Sequence, residues 1–273
     1  MIIDDSNSIS ISSTRSMVSE TLFNEDTEHL EITLNSICSA RTLENIDFFY
    51  RLQKIVATTD NKSGFEVVGY EFLLNFAKAK MIFGQDGLDF YEEAILTGKA
   101  IINLVRLIKD VYKNLRAGTR LFINIERRDL CDVQVLTSLV ELSNKLYIDR
   151  DIELVVEITE RNNCSDYFKF HQALHFLAEK KVSLAVDDYD IYNGDFREKE
   201  VFEHSLYTYV KINMPHEKDE QSALKEFLRN NEGKRRVIVE RVEYDDDLKV
   251  LSLLPLFGFQ GFLFDGLQFI NVL

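Results

Sequence analysis

The stretch Val182–Asp190, VSLAVDDYD, delivers two adjacent carboxylates, Asp187 and Asp188, where a strand-like apolar run stops. Neighbouring carboxylates repel each other unless a cation or strong donors sit between them. The ordinary alternative is that one Asp caps a turn or helix and the other is solvated. Similar endings recur along the chain. Strand-like runs are interrupted or ended by Glu71, Asn124, Glu157, Lys211 and Glu240, and a last short apolar run holds Gln260. Singly, Asn124 and Glu157 are explained as helix caps and Lys211 as a solvated strand tip. Converging on one mouth, they form a set of hard oxygen ligands suited to Mg²⁺ or Mn²⁺, and the lack of Cys or His among them argues against zinc. Two such cations sharing a carboxylate clamp the attacking and leaving oxygens of a phosphodiester displacement. A lysine beside them can hold the attacking water or a phosphoryl oxygen. The chemistry expected is metal-dependent phosphodiester hydrolysis.

The elements that must position these groups alternate along the chain. Phe49–Thr58 and Phe65–Leu74 are β-rich runs joined by a hairpin link, DNKSG. One long helical pattern follows over Asp89–Arg116. Strand patterns at Arg120–Asn124, Ile152–Glu157, Val182–Asp187, Tyr207–Ile212 and Arg236–Glu240 are each followed by a helical pattern, and a last strand is expected near Phe257–Phe264. Eight strands with helices between most of them read as an α/β fold, a modified TIM (β/α)8 barrel whose first strands form a hairpin. Such a barrel builds its site at the carboxyl ends of the strands, where the polar endings fall. Residues 46–273 are expected to be this domain, and residues 1–45, rich in Ser, Asn and Thr, a polar and partly disordered leader.

Bulk properties narrow the partners. The composition, 45% hydrophobic and 29% charged, is that of a globular chain with a sizeable core. A net charge of −14 argues against a nucleic-acid polymer or an anionic membrane as partner, but leaves room for a small phosphate ligand. Three cysteines without CxxC spacing suggest free thiols, and no apolar run reaches membrane-span length. A cytoplasmic location is expected. His171 and His175, four apart on a helical pattern, could pair on a metal but lack a third ligand, and read as ordinary helix packing.

The same segments resemble the EAL domains. VGYEFLLNF (Val68–Phe76) is similar to their Glu-Ala-Leu segment, FINIERRDL (Phe122–Leu130) to VNLSxxxL, VVEITER (Val155–Arg161) to LELTES and LAVDDYD (Leu184–Asp190) to IALDDFG. YVKIN (Tyr209–Asn213) resembles YLKID, VIVERVEY (Val237–Tyr244) resembles VVAEGVET, QGFLF (Gln260–Phe264) resembles QGYLF and RLQKIV (Arg51–Val56) resembles the opening YQPIV. The matches run in family order over residues 49–266. The resemblance implies hydrolysis of cyclic di-GMP to a linear dinucleotide with Mg²⁺ or Mn²⁺. It implies that Glu71, Asn124, Glu157 and Asp187 hold the first metal, and that Asp187, Asp188 and Glu240 serve the second. Lys211 would stand beside the nucleophilic water, Glu160 would brace the loop after Asp188, and Gln53 and Gln260 would touch substrate or water.

Four departures bear on activity. Lys-x-Asp has become Lys211-Ile-Asn213, replacing a carboxylate by an amide. DDFGTGYSSL has become DDYDIYNGDF (Asp187–Phe196), with Asp190 and Tyr192 where glycines stood. A β-carbon there should bar the family's loop shape, which also serves dimerisation, so a weakened homodimer is expected. The arginine after the Glu-Ala-Leu segment is Asn75. Finally, EGVET reads Glu240-Arg241-Val242-Glu243-Tyr244, and the link onward to Gln260 is about two residues short. The survival of the ligands favours a slow phosphodiesterase. The alternatives are a degenerate regulator that binds a protein partner and a receptor that binds cyclic di-GMP without cleaving it.

Overall fold

A computed structural model describes residues 48–59, 64–161, 166–203, 206–231 and 233–265. The expected leader, the hairpin link at 60–63 and the last residues lie outside that set. Eight strands close into a barrel in chain order: β1 (Tyr50–Thr58), β2 (Phe65–Leu74), β3 (Arg120–Ile125), β4 (Glu153–Ile158), β5 (Ser183–Val186), β6 (Tyr209–Asn213), β7 (Arg236–Glu240) and β8 (Gly258–Gln260). β1 runs antiparallel to both neighbours, β2 and β8, and the other pairs are parallel. The modified barrel expected from the sequence is therefore the observed fold.

Period-two alternation sorts each strand's side chains between two environments. One set faces outward, where Leu121, Ile123, Leu154, Val156, Leu184, Val186, Val210, Ile212, Val237 and Val239 join the main core under the helices. The other set faces the barrel axis and stacks in layers. Arg120, Glu153, Ser183, Tyr209 and Arg236 form the lower layer, tied together through Glu153 and the Tyr209 hydroxyl. Above them Ile55, Phe122, Val155, Ala185 and Ile238 form a dry plug with Tyr209. The polar residues of the mouth come two residues further along the parallel strands and, on the antiparallel β1, two residues earlier, at Gln53.

Around the barrel lie α1 (Phe76–Leu96), α2 (Lys99–Val111), α3 (Val133–Arg150), α4 (Tyr167–Glu179), α5 (Glu198–Glu203), α6 (Lys218–Asn230), α7 (Asp245–Leu251) and α8 (Phe262–Asp265). The single helix expected over Asp89–Arg116 is two helices. Gly98 adopts φ 70°, a left-handed turn that ends α1 and starts α2, and a 3₁₀ turn at Tyr112–Asn114 finishes the segment. The last strand stops at Gln260, and Phe262–Asp265 is helical instead. Asn75, noted above for the arginine it replaces, is the N-cap of α1: its side chain accepts from the Lys78 N–H at 2.9 Å. Cys131 is disulfide-bonded, contrary to the free thiols expected; Cys38 and Cys164 lie outside the described residues. Among the described residues, no helix is long and apolar enough to cross a membrane.

Candidate metal centre

The polar layer closes the carboxyl end of the barrel. Lys211 rises from β6 through the axis and is fully buried. Its Nζ lies 2.7 Å from Glu240 Oε1 on β7, 2.9 Å from Glu71 Oε2 on β2, 2.9 Å from Glu157 Oε2 on β4 and 3.7 Å from Asp187 Oδ1 after β5. Asn124 on β3 pairs in register with Glu157 and donates to Glu71 Oε1 at 2.5 Å. On the far side Gln260 donates to Gln53 Oε1 at 2.9 Å, and also to Glu71 Oε2. The barrel thus brings together Glu71, Asn124, Glu157, Asp187, Lys211, Glu240 and Gln260, the polar residues of the strand ends, and adds Gln53, a position that only the family resemblance singled out. The readings of Asn124 and Glu157 as helix caps and of Lys211 as a solvated tip are set aside by their burial and partners.

Four carboxylates around one ammonium are more negative charge than the ring can hold ionised. Burial works against charge on every member. For Lys211 the four carboxylates outweigh burial and hold the ammonium well above its ordinary range. For Glu71, burial is overcome by Lys211, Gln260 and Asn124 together, which keep its carboxyl low. The others are pushed up. Burial and the neighbouring Glu71 raise Glu157 far above a normal carboxyl. Burial, reinforced by nearby acids and only partly offset by Lys211, takes Asp187 to about 6 and Glu240 to about 8.

The donor set fits a divalent cation on a second ground. Asn124 Oδ1 and Glu157 Oε1 are buried oxygens without a hydrogen-bond partner. Buried acceptors are rarely left so, and a ligated ion would satisfy both. A second oxygen set adjoins the first. Carboxylate oxygens of Glu160, Asp187 and Asp188 lie within 4.8 Å of one another, so Asp187 belongs to both sets. Glu160, expected as a brace for the loop, offers its carboxylate to this second set. His171 and His175 join no such cluster among the described residues; His171 packs edge-on against Tyr167 at 4.1 Å.

The loop after Asp188 keeps its shape through side-chain contacts, and two of the residues that make them, Asp195 and Arg197, were passed over by sequence reasoning. Asp190 accepts the Tyr192 and Asn193 N–H groups, each at 2.9 Å, making a local turn without glycine's freedom at either altered position. The Tyr192 hydroxyl donates to the Asn213 carbonyl at 2.8 Å. Arg197 lies beneath the loop, buried against Asp195. Their only sequence signal was an Asp-x-Arg ahead of a helical pattern. Arg241 takes φ 58°, the left-handed conformation suited to the family's glycine, and its guanidinium comes within 3.5 Å of Asp188.

The EAL domain pattern matches residues 39–266. This chain belongs to the EAL domain family. Solved EAL structures share its fold. The PaMucR phosphodiesterase in complex with c-di-GMP superposes with a TM-score of 0.57 at 17% identity, covering 80% of this chain and 95% of that one. The Pseudomonas aeruginosa FimX EAL domain bound to c-di-GMP gives 0.54 at 17% identity, covering 89% and 96%. The Klebsiella pneumoniae BlrP1 manganese and cyclic di-GMP complex gives 0.52 at 20% identity, covering 78% of this chain and 54% of that one. Comparison with curated protein sequences gives no match.

Proposed function

We propose that this EAL domain is a divalent-metal-dependent phosphodiesterase that opens cyclic di-GMP to its linear dinucleotide. The observation that carries the reading is the pair of oxygen sets sharing Asp187, with two buried oxygens, on Asn124 and Glu157, lacking any partner. Glu71, Asn124, Glu157 and Asp187 would hold one Mg²⁺ or Mn²⁺, and Asp187, Asp188 and Glu240 the other, with Glu160 beside them. Bound there, the cations supply a charge clamp for the phosphoryl group and activate water at neutral pH. Lys211 contributes a fixed positive charge that orients the water or a phosphoryl oxygen. Gln260 bonds Glu71 and Gln53 together, and these two glutamines would face the substrate or its water, as the resemblance implies. A cavity of about 260 Å³ beside the ring, walled by Tyr50, Phe76 and Leu104 with Arg51, Asn124 and Arg161 among its polar groups, can seat part of a nucleotide.

Two departures favour a second reading, a cyclic di-GMP receptor or protein-binding regulator without turnover. Asn213 leaves the ring one carboxylate short, and Asn75 spends its side chain on capping α1. The experiment is incubation of the purified full chain with cyclic di-GMP and Mn²⁺, following the linear product. Turnover that Glu71→Ala abolishes, together with Mn²⁺ binding but without loss of fold, is the expected result. Binding of the nucleotide by both proteins with no product would favour the receptor. No binding by either would favour the regulator.

A further inference from the structure

Arg197 carries a buried charge with a specific job. Its side chain is 1% exposed and that of Asp195 is 4% exposed. Asp195 grips the guanidinium twice, through Nε at 2.8 Å and Nη2 at 2.6 Å, and also accepts the Arg197 backbone N–H at 2.8 Å. The remaining donors point at the backbone of the acidic pair. Nη1 donates to the Asp187 carbonyl at 2.7 Å, and Nη2 to the Asp188 carbonyl at 3.0 Å. Asp195 closes the loop on itself by accepting the Asp190 N–H at 3.1 Å. A planar fork held from behind by a carboxylate fixes two consecutive carbonyls in a way a flexible ammonium cannot. The peptide it holds is under demand: Asp188 has φ 45°, unusual for a residue with a β-carbon, so this conformation persists only where its surroundings impose it.

We propose that Arg197, clamped by Asp195, is the positioning residue that sets the Asp187–Asp188 carboxylate pair for metal binding. It takes over the shaping of this loop where Asp190 and Tyr192 stand in place of glycines. The inference rests on the metal-site reading given above. Neither residue belongs to the two oxygen sets; Arg197 acts through the backbone of Asp187 and Asp188, and Asp195 acts through Arg197. Groups behind metal ligands typically change affinity by about 10–100-fold when removed.

The test is calorimetric titration of the purified full chain with MnCl₂ alone, so that no turnover is needed. Arg197→Gln is expected to weaken Mn²⁺ binding by about tenfold or more, and Arg197→Lys to recover part of the loss, since one ammonium cannot reproduce the fork. Asp195→Asn, which keeps the guanidinium but removes its clamp, should fall between, and carries the test if Arg197→Gln does not fold. Asn193→Ala loses only the side-chain bonds to Asp190 and should bind Mn²⁺ like wild type. Wild-type affinity in both Arg197→Gln and Asp195→Asn would overturn the inference. So would an equal loss in Asn193→Ala, which would trace the effect to general loop order. A wild-type chain that binds no Mn²⁺ would sink the metal-site reading itself, and this inference with it.

Discussion

Asn213 pairs in register with Glu240 on β7, so its side chain belongs to the same layer as the carboxylate ring. Its Oδ1 is buried without a hydrogen-bond partner, which marks a position shaped for a group that something else would bind. Asn213→Asp is nearly isosteric, so packing should change little and the effect should be electrostatic. With Mn²⁺ present, the added carboxylate should tighten metal binding and raise turnover, by less than the roughly hundredfold of a well-placed proton acceptor. Without metal, a further negative charge beside Glu240 should lower the melting temperature. Turnover measured at limiting and at saturating Mn²⁺ separates the contributions: a gain only at limiting metal assigns the residue to affinity, and a gain at both assigns it to chemistry. A substitution that moves neither turnover nor melting temperature would show that Asn213 lies outside the charge network.

At the scale of elements, the turn from β8 into α8 holds Gln260 in place. Val242 N–H donates to the Gln260 carbonyl at 3.0 Å, and the backbone of Gly261 presses against Val242 so closely that a β-carbon would lie 2.2 Å from the Val242 carbonyl oxygen. Backbone on both sides leaves no flexible end to move aside. Gly261→Ala should therefore cost about 1–3 kcal/mol, typical of overpacking, and should displace the Gln260 amide from Glu71. Chemical denaturation should find a lower midpoint with an unchanged slope. A midpoint equal to wild type would mean that the α8 turn relaxes freely and does not hold the glutamine.

For the whole molecule, the crowded ring ties stability to pH and to metal. The Asp187 and Glu240 carboxyls sit at about 6 and about 8, against ordinary values of 3.8 and 4.5. A carboxyl raised on folding binds its proton more tightly folded than unfolded. Its stabilising contribution is complete below those ordinary values and is lost as pH climbs through about 6 for Asp187 and about 8 for Glu240. In the presence of a chelator, wild type should lose melting temperature relative to Glu240→Gln across that window. Divalent cations compete with those same protons, so the stabilisation by Mn²⁺ should grow over the same rise in pH. For a chain of this size each kcal/mol corresponds to about 2–4 °C. An Mn²⁺ effect of equal size at about pH 5 and about pH 9 would show that the ring does not bind the metal.

Alternation of strand and helix patterns, with polar residues at the strand ends, was enough to determine the barrel and most of the ring, because period-two alternation is local and strand ends in a closed barrel meet at one mouth. Glu71, Asn124, Glu157, Asp187, Lys211, Glu240 and Gln260 could be placed together from that alone. What the chain order could not carry was set by contacts between distant segments. Lys211 is encircled by acids brought from four other strand ends, which fixes how their charges compete. The break between α1 and α2 rests on a left-handed Gly98, which periodicity over Asp89–Arg116 passes through unseen. In the sequence the altered loop showed lost glycines and an Asp-x-Arg, with nothing to say what the arginine would hold. Its replacement scaffold exists because folding turns Arg197 back onto the carbonyls of Asp187 and Asp188, ten and nine residues earlier, and a hydrogen bond to a backbone carbonyl leaves no mark on the sequence of the residue that accepts it.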